Sequence, residues 1–412
     1  MEELPEISEE FLEPILPCLG LLRNAHILIY VDRKPFWNDK CHLILNVVSV
    51  VTYLLSLTMY MGKVFRGELL LDELAYVVSV YVVTVQSILK ASVVVFYKKE
   101  IRTIILQLGR LWRTEHLTEV QINKKNTLLK RLKFCYAAAT LLHVTAIKLF
   151  PLLAVFYWIN MIGSWQYILA PLLETVTRKF ILLQECGLLL PFSCSFPFDP
   201  TGNWGRYIGV YIFETYSMFR IVYVYLGTEF LMITLCSHLS TAFMLLQEDL
   251  LNNEPGNFED LKTVIVYHQQ LISISKQLDD VFDKVIFINL SSASISICFF
   301  GFCAKVAHRA IDMVNNFVAV VTLTLPLFNL CDYGERLREA SAGMADSVYH
   351  NLWYRGDIQY QKLLWFIMRR SQKPCCMTSL KYSPIGLNTF AAVLSTTWSY
   401  FSLASSLYES ET

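Results

Sequence analysis

Apolar residues in this chain gather into long blocks separated by polar stretches, and the blocks have the length of a bilayer crossing. A helix rises about 1.5 Å per residue, so about 20 apolar residues cover the hydrocarbon. Four blocks hold no Asp, Glu, Lys or Arg: Leu43–Met61, Val285–Ala304, Met313–Cys331 and Ile385–Tyr408. Two more carry one lysine each, Leu74–Tyr97 with Lys90 and Phe134–Trp158 with Lys148. A seventh, Tyr207–Ser237, is longer and contains Glu214, Arg220 and Glu229. Ile162–Leu173 and Ile181–Phe192 are too short to cross and are expected to be packed or interfacial loop structure. The pattern predicts an all-α membrane protein with seven transmembrane helices.

Between the fourth and fifth blocks the apolar period becomes helical. Leu261, Val264, Ile265, Leu271, Ile274, Leu278, Val281 and Phe282 fall on one stripe, with His268 among them. This predicts an amphipathic helix running into span five. His238–Leu250 extends span four and stops before Asn252, Asn253, Pro255 and Gly256; Arg336–Tyr354 and Tyr360–Arg370 predict further helices ahead of Pro374. Such stripes need a partner surface. They pack on each other, or they form an assembly platform between subunits, and the pattern leaves both open.

Composition agrees with the spans. Hydrophobic residues make up 54% and charged ones 17%, against about a quarter charged in soluble domains. Lys+Arg and Asp+Glu balance at 35 each, so no basic field points to nucleic acid. Their placement is uneven: 24 Lys and Arg fall on the side of the amino terminus and 7 on the other. The positive-inside rule then puts the amino terminus in the cytoplasm and the carboxyl terminus outside. The acidic start and the Pro17 break in Ile15–Leu22 do not read as a secretory signal, so the first span is expected to drive insertion. This orientation opposes that of G-protein-coupled receptors, whose acidic-Arg-aromatic and Asn-Pro-x-x-Tyr motifs also have no counterpart here.

The chemistry-bearing residues form few groupings. None of the 11 cysteines makes a C-x-x-C pair or a zinc spacing, and no nucleophile–base arrangement emerges, so neither an enzyme, a cofactor nor a metal is expected. Cys186 and Cys194 share a polar loop, where a disulfide is one option. Asn289-Leu290-Ser291 is a sequon inside an apolar run. Lys148 and Arg220 lie near mid-span, and the simple expectation is Lys148–Glu214 pairing with Lys90 snorkelling to the inner interface. Deep aromatics suggest an apolar outer-half pocket, for which the candidate set is Tyr81, Ile147, Phe150, Tyr211, Thr215 and Phe317. On the last span Asn388, Ala392, Ser395, Ser399, Ser402 and Ser406 share a face bordered by Leu403 and Leu407, opposite Leu387, Phe390, Leu394, Trp398 and Phe401. That stripe reads either as close helix packing or as a wetted pore lining with an apolar gate.

The carboxyl-terminal third, roughly 325–408, resembles the insect odorant receptors. Leu330-Cys331-Asp332-Tyr333-Gly334-Glu335 is similar to their Cys-aromatic-aromatic-Gly-Glu motif, with Asp332 departing from it. Tyr349-x3-Trp353 and Leu363 to Pro374, ending Met368-Arg369-Arg370-Ser371-Gln372-Lys373-Pro374, resemble their intracellular segment. Ile385-Gly386-Leu387-Asn388-Thr389-Phe390 and Ser399-Tyr400-Phe401 are similar to their last helix. Gustatory receptors share the architecture but end on Thr-Tyr and Gln-Phe, which this chain lacks. The resemblance implies a non-selective cation channel opened by a small volatile ligand, built as a heterotetramer with the odorant co-receptor in the plasma membrane of olfactory neurons. It implies a cytoplasmic segment (1–42), a ligand-binding bundle (43–331), a cytoplasmic helical anchor (332–384), a pore helix (385–408) and an extracellular tail (409–412). Ser399, Leu403, Ser406 and Leu407 are then the pore and gate residues, Leu403 standing where the family often has Val. A non-conducting ligand binder or carrier is the alternative.

Overall fold

The computed structural model describes residues 7–30, 37–66, 71–140, 152–181, 187–192, 194–307 and 309–411, and these are overwhelmingly helical. In chain order they form α1 (Glu9–Leu12), α2 (Ile15–Asn24), α3 (Trp37–Phe65), α4 (Leu71–Phe96), α5 (Lys98–Arg110) and α6 (Glu119–Thr140). Next come α7 (Leu152–Val176), prolonged by a π turn at Thr177–Ile181, then α8 (Trp204–Asn252), α9 (Phe258–Val306) and α10 (Ala310–His350). A 3-10 turn (Trp353–Arg355), α11 (Ile358–Ser371), a hairpin of β1 (Thr378–Ser379) and β2 (Ser383–Pro384), and α12 (Leu387–Glu411) complete them. Among the described residues, Cys41–Lys63, Ala75–Phe96 and stretches of α8, α9 and α10 are long and apolar enough to cross a membrane.

α8 and α9 have 49 residues each, roughly 70 Å of helix and over twice a bilayer core. Each starts on an Asn cap: Asn203 Oδ1 accepts from Gly205 N–H at 3.2 Å, and Asn257 Oδ1 from Asp260 N–H at 3.3 Å. The amphipathic stripe of α9 is buried as its period requires, Leu261, Leu271, Leu278 and Phe282 being fully covered. These faces therefore pack within the chain, on α8, α5 and α10.

α8 is the central post. Every residue from Val224 to Phe243 is buried, because α2, α4, α6, α9 and α10 surround it. The amino-terminal segment belongs to this core, with Phe11, Ile15, Cys18 and Leu22 fully buried. Gly227 permits that docking: a Cβ there would stand 2.9 Å from Leu22 Cγ and 3.2 Å from its backbone nitrogen.

The structure corrects one loop reading. Ile162–Leu173, read from its length as loop, lies inside the continuous helix α7. No Asp, Glu, Lys or Arg occurs between Lys148 and Glu174, so the uncharged run is long enough once Lys148 is taken as its edge. Residues 141–151 lie outside the described set, including Ile147, Lys148 and Phe150. Cys186 does too, while Cys194 is a free thiol.

The chain between α11 and α12 is clamped. Leu380 and Lys381 take left-handed φ of 48° and 64°, which costs L-residues energy. Asp279 of α9 holds the turn, accepting from Thr378 N–H at 2.6 Å and from Lys381 Nζ at 2.7 Å, with Asp280 2.8 Å from the same Nζ. Partial burial works against the Lys381 charge, but these two carboxylates outweigh it and raise its proton affinity above that of an ordinary lysine. Gly334 lets α12 start against α10, since a Cβ there would lie 3.2 Å from the Ile385 carbonyl oxygen.

Candidate functional site

Above the solid part of α8 the bundle opens into a cavity of about 140 Å³ between α3, α4, α7, α8, α9 and α10. Its walls are carbon: Val80 and Val83 from α4, Met218 and Ile221 from α8, Phe300 from α9, and Val318 from α10. The lining hydroxyls of Thr84 and Thr322 are turned onto their own helix carbonyls, Val80 O at 2.8 Å and Val318 O at 2.7 Å. Tyr76 meets Phe300 edge-on at 6.3 Å and Tyr167 at 6.4 Å, while the Tyr167 hydroxyl donates to Asn315 O at 3.1 Å. Such a space takes a small apolar molecule by dispersion and shape, with few fixed hydrogen bonds.

The roof is the segment after α7. Phe192 packs edge-on against Tyr53 at 5.9 Å, and both line the cavity. Phe192 N–H donates to Glu214 Oε2 at 3.3 Å and Ser195 N–H to Ser56 O at 3.2 Å. The Tyr207 hydroxyl donates to Leu189 O at 2.9 Å, so three hydrogen bonds pin the segment over the opening.

The floor is polar and closed. Lys90 does not snorkel; it is fully buried and pairs with Glu229 at 2.6 Å. Asn289 Nδ2 donates to the same Glu229 oxygen at 2.6 Å, Gln86 Nε2 donates to Asn289 Oδ1 at 2.9 Å, and Lys90 Nζ sits 4.0 Å from the centre of the Tyr225 ring. Desolvating a lysine inside a membrane is costly, and a neighbouring carboxylate offsets that cost better than a long reach to the interface. Asn289 is thereby occupied inside the bundle.

The sequence-derived set is only partly brought together. Tyr81 packs behind the wall, on the cluster of Tyr53, Leu57, Phe192 and Ile221. Tyr211 is bonded through its hydroxyl to Ile168 O on α7, and Thr215 Oγ1 is buried without a hydrogen-bond partner. Phe317 is a correction: it is 62% exposed, and its neighbours Val318 and Ala319 face the cavity instead, a register offset of one residue on the same helix. Ile147 and Phe150 lie outside the described residues. Missed altogether were Gly163, Ser164 and Tyr167, the α7 wall, which followed from misplacing that span.

α12 packs on α9 and α10 through Phe390, Phe401 and Tyr408: Phe328–Phe390 at 5.4 Å, Phe302–Tyr408 at 5.6 Å, and Phe401 beside Gly301. Its other face is uncovered. Ser395, Ser399, Ser402 and Ser406 are exposed, with Leu403 at 57% and Leu407 at 59%. Leu387 and Trp398, on the opposite face, are exposed as well. Among the described residues, then, no helix of this chain covers the small-hydroxyl stripe.

The sequence profile of the 7tm odorant receptor family matches residues 70–398, most of the chain. The chain belongs to the 7tm odorant receptor family. Among curated relatives of this odorant receptor, odorant receptor 13a of Drosophila melanogaster is 28% identical over 240 residues, covering 53% of this chain and 57% of that one. Putative odorant receptor 85d of the same fly is 24% identical over 260 residues, 61% and 63% of the two chains. The matches thus span less than two thirds of these relatives. The fold is that of the insect olfactory receptor OR5 from Machilis hrabei solved in complex with eugenol. The TM-score is 0.78 at 12% identity, covering 97% of this chain and all of that one. A second structure of the same receptor superposes with a TM-score of 0.71 at 12% identity, covering 94% of this chain and 96% of that one.

Proposed function

We propose that this odorant receptor binds a small, mostly apolar volatile in the cavity bounded by Tyr76, Tyr167, Met218, Phe300 and Val318, and thereby opens a non-selective cation channel. The observation that carries the reading is the pairing of a carbon-walled cavity with an uncovered hydroxyl stripe on α12 in the same chain. The working assembly is a heterotetramer with co-receptor subunits in the plasma membrane of olfactory sensory neurons, amino terminus inside. The α12 helices then surround one axis, lined by Ser399 and Ser406 and gated by Leu403 with Leu407. Tyr81, Tyr211 and Thr215 form a second ring around the ligand space, and Ile147 and Phe150 keep their proposed place on the third span.

α12 touches the cavity's own walls, α9 and α10, through Phe390 and Phe401, so a ligand that spreads those helices also moves the gate. The decisive experiment is whole-cell recording from cells expressing this chain with and without the co-receptor under a panel of volatiles. A ligand-evoked cation current from the pair alone is expected. Current from this chain alone removes the obligate partner, and silence with both proteins shown at the surface removes the panel's ligands or the conducting role.

A further inference from the structure

We propose that a second, lipid-facing site between α3, α4 and α8 holds the carboxyl group of a long-chain fatty acid against Arg220. A groove of about 290 Å³ lies there, walled by Val47, Val51, Ile88 and Val95 and reaching Arg220. Val47, Val51 and Val95 are exposed, so in a bilayer the groove opens to acyl chains.

Arg220 is the reason for naming an acid. It stands about 20 Å along α8 from Tyr207, inside the span. Its guanidinium lies 4.5 Å from the centre of the Tyr216 ring, and among the described residues no carboxylate approaches within 4.0 Å. A guanidinium at such depth needs an anion, since lipid offers neither water nor counter-charge. The other ionised side chains of this part of α8 are engaged elsewhere: Glu229 is held by Lys90, and Glu214 accepts from Phe192 N–H under the roof segment.

Two more polar atoms in the groove lack a hydrogen-bond partner among the described residues, Ser87 Oγ and Asn46 Oδ1, both on residues more than nine-tenths buried. Asn46 Nδ2 is fixed on Ala25 O at 2.7 Å, which holds its amide at the groove. A carboxylate suits the groove, since its oxygens accept from Ser87 and Arg220 together. A two-chain phospholipid does not reach this depth, because its phosphate stays at the interface, whereas a single-chain acid crosses the hydrocarbon neutral and ionises beside the guanidinium. Ile221 lines both the groove and the apolar cavity, so the acyl chain packs on the back of the cavity wall.

The test uses the full chain in nanodiscs and palmitic acid carrying a diazirine on its chain, compared with the matching fatty alcohol. Photolabelling by the acid is expected on the Val47–Val51 and Ile88–Val95 segments, with the alcohol labelling weakly. Labelling falls about ten-fold in Arg220→Gln, the scale of losing a charge-assisted pair, and is kept in Arg220→Lys. If Arg220→Gln does not assemble, Val47→Trp fills the groove with the charge intact and abolishes labelling. Equal labelling by acid and alcohol, unchanged labelling in either variant, or displacement of the acid by phosphatidylserine overturns the proposal. None of these readouts depends on current, so its failure is separate from that of the channel reading.

Discussion

The two halves of α8 use one helix for opposite purposes. From Val224 to Phe243 every side is covered by other helices, giving a solid post. Between Tyr207 and Ile221 burial alternates with exposure, and Met218 and Ile221 line empty space on one side while Arg220 and Ile221 line a groove on another. Interiors are close-packed as a rule, so a void of about 140 Å³ walled by Val, Met and Phe forfeits dispersion energy that the lower half keeps. The solid half supplies the stability that lets the hollow half stay hollow. The Lys90–Glu229–Asn289–Gln86 network marks their border.

The largest expected loss lies at that border. Lys90→Met leaves the Glu229 carboxylate buried without its cation and costs about 3–5 kcal/mol. Thermal unfolding of purified protein reads it, and Lys90→Met with Glu229→Leu should recover most of the loss. If the double variant is as unstable as the single, the network does more than neutralise its own charges.

A matched pair tests the contrast directly. Phe282→Ala in the solid half costs about 3–5 kcal/mol because its surroundings are filled. Phe300→Ala beside the cavity costs less, about 2 kcal/mol, because one side of the ring already meets empty space. Equal losses in melting experiments would mean the cavity is not open in the free protein. Smaller still is the stability effect of Ala319→Leu, within about 1 kcal/mol, as it fills void rather than displacing neighbours. The same substitution should weaken the ligand-evoked current about ten-fold or more.

The helices were legible in the sequence far better than the cavity. Period and charge located the stripe from Leu261 to Phe282 and the uncovered serines of α12, because burial of one face is written in every third or fourth residue. They failed at α7, where the short apolar run 162–173 read as loop and hid Gly163, Ser164 and Tyr167. They failed at Phe317 by one residue, because depth and aromaticity fix the level in the membrane but not the rotation of the helix. Lys90–Glu229 joins residues far apart in the chain, and nothing local in the sequence pairs them. The Gly334 motif shows the reverse. Its sequence signal was plain, but its reason, room for the Ile385 carbonyl at the start of α12, needed the packed structure.

Leu403→Ala carries the comparison to α12, where stability and function separate completely. Leu403 is 57% exposed and packs into neither half, so removing its side chain should leave the melting temperature within the small change typical of surface sites, about 0.5 kcal/mol or less. At the proposed gate, however, its isobutyl group would narrow an apolar constriction that excludes water, and alanine would both widen and wet it. The expected outcome is raised current without ligand, with response to ligand retained. Trp398→Ala, on the same helix and also exposed, serves as the control that should not leak. An unchanged leak in Leu403→Ala moves the gate to Leu407 or to the partner subunits, while the cavity keeps its role.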